Sequence, residues 1–354
     1  QNLALTFNQL FKLETRMRTY QVTTADGIDA IEQIETEIPT PKDDEILVKM
    51  KSCSLNYRDM LITMGGYVRN DIRPVVPLSD GAGEVVKMGA NVSNFQLGDR
   101  VIGNFFQSWE TGKIDDAGLN SALGGSIDGV LSDYFILKAN CSVKIPDYLS
   151  YSEAATLPCA ATTAWHALVS IGNIKAGDTI LLLGTGGVSI FGLQLAKAKG
   201  ATTIITSSSD KKLTRAKALG ADHVINYTTH PNWEEKVLEI TEGKGVDNVL
   251  EVGGAGTFEK SSACVKPNGT VSVIGILTGL ESPSMSLMTI FNLLRVQGIY
   301  VGSTEMLQQL TTAMEDHQIH PQIDKTFSFS QAKEAYQWMV QAKHFGKVVI
   351  ENDK

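Results

Sequence analysis

The sequence predicts an α/β protein in which a doubly wound parallel sheet is joined to a smaller β-rich domain, and three observations carry this. The 354 residues exceed the length of one ordinary domain. Between Thr179 and Val301, strand-sized apolar runs alternate strictly with helix-sized amphipathic ones. From Arg18 to about Cys141 the texture is different, with short strands broken by turns.

In chain order, Glu45 to Met50, Gly83 to Lys87 and Arg100 to Gly103 read as strands of the β-rich part. Trp109 to Gly129 has several glycines and little periodicity, which predicts a surface loop or lobe. The alternating part reads as strands Thr179 to Leu183, Thr202 to Thr206, His223 to Asn226, Asn248 to Val252, Thr270 to Ile274 and Val296 to Val301. Helices are expected between them at Val188 to Lys199, Asp210 to Leu219, Asn232 to Thr241, Phe258 to Val265 and Leu287 to Leu294. After Ser303 the alternation stops. The tail ends in a strand-like run, Lys347 to Glu351, and so short a segment is expected to return to the first domain. The expected domains are therefore 17–141 with 304–354, and 142–303.

Composition excludes several function classes. Apolar residues at 43% and charged residues at 20% suit a globular chain rather than a disordered one. A net charge of −8 offers no footprint for phosphate backbones or anionic lipid, so neither nucleic-acid nor membrane partners are expected. The longest apolar runs are too short to cross a bilayer. Gln1 to Arg16 lacks the layout of a secretory signal, and Met17 is read as a candidate start of the natural chain. Cys53, Cys141, Cys159 and Cys264 are scattered without a C-x-x-C pair, which suggests reduced thiols and a cytoplasmic location.

The first alternating strand runs into Gly184-Thr-Gly-Gly-Val-Ser189 and then a helix. Gly184 permits a tight turn and Gly186 lets a pyrophosphate approach the backbone. Gly187 and Val188 lead into the helix, whose free N–H groups and dipole favour an anion. Ser189 stands where a third glycine is usual, and its small side chain still lets helix and strand approach. At the head of an alternating α/β pattern this turn reads as a dinucleotide site. NAD sites place an acid at the end of the second strand, but here that strand ends Thr206-Ser-Ser-Ser-Asp-Lys-Lys212. Asp210 comes late enough to cap the next helix. Ser207 and Ser208, followed by Lys211 and Lys212, suit the 2′-phosphate of NADPH. The alternative is a polar turn leading into a solvated helix.

From Met17 onward the chain resembles the medium-chain dehydrogenase/reductase superfamily. The matching landmarks are Asn56-Tyr-Arg-Asp59, Asp80-Gly-Ala-Gly-Glu-Val-Val86, Gly98-Asp-Arg-Val101, Ala161-Thr-Thr-Ala-Trp165, the Gly184 turn and Leu219-Gly-Ala-Asp-His-Val-Ile-Asn-Tyr227. The resemblance implies a GroES-like β-rich catalytic domain interrupted by a Rossmann domain, with the active site in the cleft between them. It also implies a homodimer or homotetramer joined along the Rossmann sheet edge.

Zinc-dependent members carry a cysteine about where Asn56 stands and a His-Glu pair where Ser79 and Asp80 stand. They also carry four cysteines in the lobe that here spans Trp109 to Gly129 and has none. Zinc needs three or four soft or imidazole ligands, and Cys159 alone falls near a ligand position. His166, His223, His230, His317, His320 and His344 show no metal-ligand spacing. No metal is expected. The resemblance is closest to the zinc-free quinone and enoyl reductases, whose asparagine and tyrosine match Asn56 and Tyr67. Tyr67 is then either a proton donor or a packing residue, and Tyr57 and Arg58 are candidates to line the cleft. By the same resemblance Lys211 and Tyr227 flank the adenosine phosphate, and Thr163, Gly253 and Gly275 approach the nicotinamide and its ribose.

The function expected is zinc-independent, NADPH-dependent reduction of a quinone or activated enone, a small-molecule substrate. The alternatives are a metal-free alcohol or aldehyde dehydrogenase, and a non-catalytic NADPH-binding protein.

Overall fold

The computed structural model describes residues 15–66, 73–279 and 287–353. The strands β1 (Arg16–Val22) and β2 (Ile31–Glu37) form an antiparallel hairpin, and Met17 lies inside β1. Next come β3 (Glu45–Leu55), the short helix α1 (Tyr57–Thr63), β4 (Asp80–Met88), β5 (Arg100–Gly103), β6 (Tyr134–Lys138) and β7 (Ser142–Lys144). β3 is long and mostly buried, with half-buried positions only at Glu45, Lys49 and Lys51 and an unbroken buried run from Ser52 to Leu55.

The Rossmann part contains β8 (Thr179–Leu182), α2 (Gly187–Ala198), β9 (Thr202–Ser207), α3 (Asp210–Ala218), β10 (His223–Asn226), α4 (Trp233–Ile240), β11 (Val246–Glu251), α5 (Phe258–Ala263), β12 (Val265–Val273) and β13 (Arg295–Gly298). Its sheet is parallel throughout, in the order β10-β9-β8-β11-β12-β13. Strands covered by helices on both faces must be apolar on both faces, which is why β8 reads as an unbroken buried run. The order reverses between β8 and β11, and in such sheets ligands bind at the carboxyl ends beside that reversal.

The chain then continues through α6 (Thr304–Asp316), β14 (Ile323–Ser328), α7 (Ala332–Val340) and β15 (Lys347–Glu351). β15 pairs antiparallel with β3 and parallel with β14, giving a sheet ordered β14-β15-β3-β4-β5-β7, with β6 also on β3. Two details differ from the sequence-based expectation. β7 still pairs with β5, so the first sheet extends past Cys141. α6 does not enter that sheet, and its Leu307, Leu310 and Met314 lie in a core shared by both parts with Ala82, Ile102, Val143, Ile180 and Leu182. The expected lobe is also less superficial than its glycines suggest. Trp109, Ala122 and Leu123 are buried, and the Trp109 carbonyl accepts from the Thr304 N–H at 3.0 Å.

The two sheets meet at one place that matters for function. Gly346, just before β15, donates its N–H to the Thr185 carbonyl at 3.0 Å and forms a parallel bridge with Gly186. Gly346 adopts φ +78, and a Cβ there would lie 2.2 Å from the Gln322 carbonyl, so no other residue fits.

Candidate active site

The glycine turn at the end of β8 has the form an anion site needs. Gly184 is left-handed at φ +73, and its N–H donates to the Thr206 hydroxyl at 3.2 Å. α2 starts at Gly187 with Gly186 as its cap, which has no side chain to occupy the free N–H groups. A Cβ at Gly184 or Gly186 would meet nothing within 4 Å, so open space adjoins the turn. Gly187 differs: a Cβ there would lie 2.7 Å from Cδ of Lys347, so this glycine makes room for protein. Val188, in the first helical turn, is half-buried against the shared core. Ser189 is buried and donates its hydroxyl to the Leu183 carbonyl at 2.6 Å, which satisfies the one polar group that replaces the usual glycine. An uncapped helix terminus beside open space fits a dinucleotide diphosphate.

At the end of β9, Ser207 is buried, and its hydroxyl accepts from the Ser209 N–H at 3.3 Å. Ser208 and Lys211 are exposed, and Tyr227, 41% exposed, follows the residue paired with Ser207. The cap of α3 is Ser209 rather than the expected Asp210. Ser209 accepts from the Lys212 N–H, whereas Asp210 accepts from the Asn226 amide at 2.7 Å. Lys212 is also spent on the fold, donating its ammonium to the Ala342 carbonyl at 2.7 Å. Ser208, Lys211 and Tyr227 therefore remain as the exposed polar groups that can meet a 2′-phosphate, with Ser207 shaping the turn beneath them.

At the carboxyl end of β11, the fully buried Glu251 accepts from the N–H groups of Gly253 at 2.7 Å and Gly254 at 2.9 Å, from the Thr257 hydroxyl at 2.6 Å and from the Ser261 hydroxyl. This carboxylate fixes the Gly253 turn. Gly275 lies beside it, where a Cβ would be 2.2 Å from the Val252 carbonyl. Replacing Glu251 with Leu strands these donors, and at about 1 to 3 kcal/mol for each unsatisfied buried group the loss should exceed about 3 kcal/mol in denaturant unfolding. Glu251→Gln, which keeps one acceptor oxygen, should lose less. Equal stability of the leucine variant and wild type would remove this role.

The catalytic candidates converge at the end of β3. Asn56 is buried at the N-terminus of α1. Its N–H is held by Asp59 at 2.7 Å, and its amide nitrogen lies 3.5 Å from the Ser79 hydroxyl. Ser79 donates to Asp80 at 2.7 Å, and Asp80 also accepts from the Ser54 hydroxyl at 3.4 Å and the Cys159 N–H at 3.3 Å. Leu157–Ala161 is a π-helical turn, and its wide backbone directs the Cys159 N–H to that carboxylate. Lys347 completes the group through bonds to the Leu55 carbonyl and the Asn56 Oδ1. Burial and the Asp80 charge push the Cys159 thiol up, so it stays protonated at neutral pH. Among the described residues no cluster of three or more His, Cys, Asp or Glu side chains has a geometry for a metal ion.

Thr163 is buried and donates its hydroxyl to the Cys159 carbonyl at 2.7 Å, so it offers shape more than a free donor. Tyr57 is 41% exposed. Arg58 is buried, with its guanidinium on the Leu123 carbonyl at 2.8 Å and over the Phe105 ring. Tyr67 lies outside the described residues. Sequence reading missed Asp59, Glu251 and Lys347 as site residues. A single lysine heading an apolar strand looks like a strand end, and only the β15–β3 pairing brings it to Asn56.

Burial raises the Asp59 carboxyl to about 6, against the opposing pull of Arg58 and of the Asn56 N–H. A folded value above the unfolded one means that the native state holds the proton more tightly. This group's stabilising contribution is thus full below about 4 and is lost as pH rises through about 6. Relative to Asp59→Asn, wild-type stability should decline between pH 4 and pH 6 and level off above, as read from melts across that range. A stability difference independent of pH would contradict it.

Comparison with known proteins gives a consistent picture. Residues 42–147 match the family model described as alcohol dehydrogenase GroES-like domain, and residues 187–316 match the one described as zinc-binding dehydrogenase. A zinc-type alcohol dehydrogenase-like protein of Schizosaccharomyces pombe is 44% identical, covering 92% of this chain and 96% of that protein. The 2-methylene-furan-3-one reductase of Solanum lycopersicum is 31% identical, covering 96% of this chain and 80% of that protein. Among solved structures, a putative alcohol dehydrogenase from Sinorhizobium meliloti superposes with a TM-score of 0.89 at 39% identity, covering 96% of this chain and 99% of the other.

Proposed function

Since the chain belongs to the medium-chain dehydrogenase/reductase superfamily, in its quinone oxidoreductase-like branch, we propose that this oxidoreductase is a zinc-independent reductase that uses NADPH to reduce a quinone or an activated enone. The observation that carries this reading is the donor set around Asn56. An amide and a serine hydroxyl are poor zinc ligands, whereas the Asn56 amide nitrogen carries a second proton beyond the one aimed at Ser79 and can donate it to a substrate oxygen.

When bound, NADPH supplies a hydride at its nicotinamide ring. The chain's own residues do the rest. The turn of Gly184 and Gly186 and the start of α2 hold the diphosphate, and Ser208, Lys211 and Tyr227 meet the 2′-phosphate. Gly253, Gly275 and Thr163 would shape the nicotinamide end, and the Asn56 amide, backed by Ser79, would donate to the oxygen on which charge develops. Tyr57 lines the entrance, and Tyr67 is assigned as the group that delivers a proton.

The same reading divides the chain into a catalytic domain of 17–141 with 304–354 and a nucleotide domain of 142–303; the return of β14 and β15 to the first sheet supports it, with β7 moving the first boundary past Lys144 and α6 packing on the shared core. A homodimer or homotetramer is supported by the exposed Ile290, Phe291, Leu293 and Val296 beside and on the edge strand β13. The free cysteines support a reducing, cytoplasmic setting, and no helix among the described residues is long and apolar enough to cross a membrane.

The test is steady-state NADPH oxidation by chelator-treated protein with panels of quinones, enones and simple aldehydes. Turnover of the enones or quinones well above the aldehydes is expected. Turnover of aldehydes alone would favour the dehydrogenase alternative, and no turnover at all would favour a binding protein.

A further inference from the structure

Lys347 is the least expected charge in the molecule. It is 2% exposed at the start of β15, between the catalytic cluster and the dinucleotide turn. Its ammonium donates to the Leu55 carbonyl at 2.7 Å and to Asn56 Oδ1 at 2.5 Å, and it lies 3.6 Å from Asp80 Oδ2. Its three protons thus face a carbonyl, an amide oxygen and a carboxylate.

An ammonium only donates, whereas a primary amide both donates and accepts and can sit in either of two flipped orientations. The atom of Asn56 that faces Lys347 must therefore be the oxygen. This leaves Nδ2 facing Ser79, with one proton on that hydroxyl oxygen and the second left for the substrate oxygen of the proposed reaction. Without a donor-only partner, the flipped amide would present an acceptor to the developing charge.

The lysine is also tied to the cofactor turn. Its stem lies where a Cβ of Gly187 would stand, and the preceding Gly346 donates to the Thr185 carbonyl. We propose that Lys347 is a positioning residue that fixes the Asn56 amide with its nitrogen outward and holds that amide in register with the dinucleotide turn. The proposal rests on the reading of Asn56 as a substrate-oxygen donor.

The test is a double-mutant cycle with Lys347→Met and Asn56→Ala, with an enone as substrate, reading kcat, KM and the Kd of NADPH. Lys347→Met should lower kcat at least tenfold with less than a threefold change in NADPH Kd. In the Asn56→Ala background it should lower kcat by no more than about twofold. If Lys347→Met fails to fold, Lys347→Gln takes its place. It keeps a donor for the Leu55 carbonyl but can accept as well as donate, so it no longer dictates the amide orientation, and the same loss within the cycle is expected. Multiplicative losses in the double variant would overturn the positioning role while leaving Asn56 as a donor. A loss of NADPH affinity larger than the loss of kcat would make Lys347 a cofactor ligand and overturn it as well. If Asn56→Ala alone leaves kcat unchanged, the reading of Asn56 fails first and the proposal with it.

Discussion

Asn56→Ala is expected to lower kcat for an enone by about 10² to 10³, the cost of removing one preorganised donor to a developing oxyanion. The NADPH Kd should stay within a few-fold of wild type, because the contacts proposed for the dinucleotide lie on the Gly184 turn and at the end of β9, away from Asn56. Asn56→Asp sharpens the result. A carboxylate there can still accept from Lys347 and leave the fold intact, but it cannot donate and would repel negative charge on the substrate. Its turnover should be no better than that of the alanine variant. Normal kcat in either variant would remove the amide from the chemistry.

Coenzyme choice should change as strongly. A charge-assisted hydrogen bond is worth about 1.5 to 3 kcal/mol, so Lys211→Ala is expected to weaken NADPH roughly ten- to a hundredfold and leave NADH nearly unaffected. Ser207→Asp places an acid at the end of β9, where it would accept from a ribose 2′-hydroxyl and repel a 2′-phosphate, so preference should move towards NADH. Lys212→Ala serves as the contrast. Its ammonium is occupied by the Ala342 carbonyl, so coenzyme preference should not change. Equal efficiency of the wild-type protein with both coenzymes, together with no effect of Lys211→Ala, would return this turn to a solvated helix start.

The parallel sheet was legible because its central strands, such as β8, are covered on both faces and so are almost wholly apolar; the predicted limits of its edge strand β10, and of β5 and β15 in the other sheet, coincide with those observed. The predicted helix Leu287 to Leu294 shrinks to Met288–Phe291, since an apolar run beside an edge strand carries no periodicity that sets its ends. β2 and β14 went unread because their exposed and half-buried residues make weak alternation.

The site was legible where local backbone dictates it. The turn needs a left-handed residue, which Gly184 supplies at φ +73, and open space for a ligand to approach, which Gly186 leaves beside it. Local reading went astray one residue along, at Ser209, because serine and aspartate cap helices almost equally well. Contacts that close over the whole chain left no local signal. Lys347 meets Asn56 across 291 positions, and Glu251 looks like a polar strand end until its donors fold around it.

The central claim is metal-free reduction by NADPH, and transfer of deuterium from NADPH labelled at nicotinamide C4 tests it most directly. The protein would be stripped with chelator, assayed for zinc, and mixed with an enone in a single turnover. The account predicts one deuterium at the enone β-carbon, at the same rate in stripped and untreated protein, with zinc far below one per chain. Transfer that disappears on stripping and returns only with added zinc would contradict it.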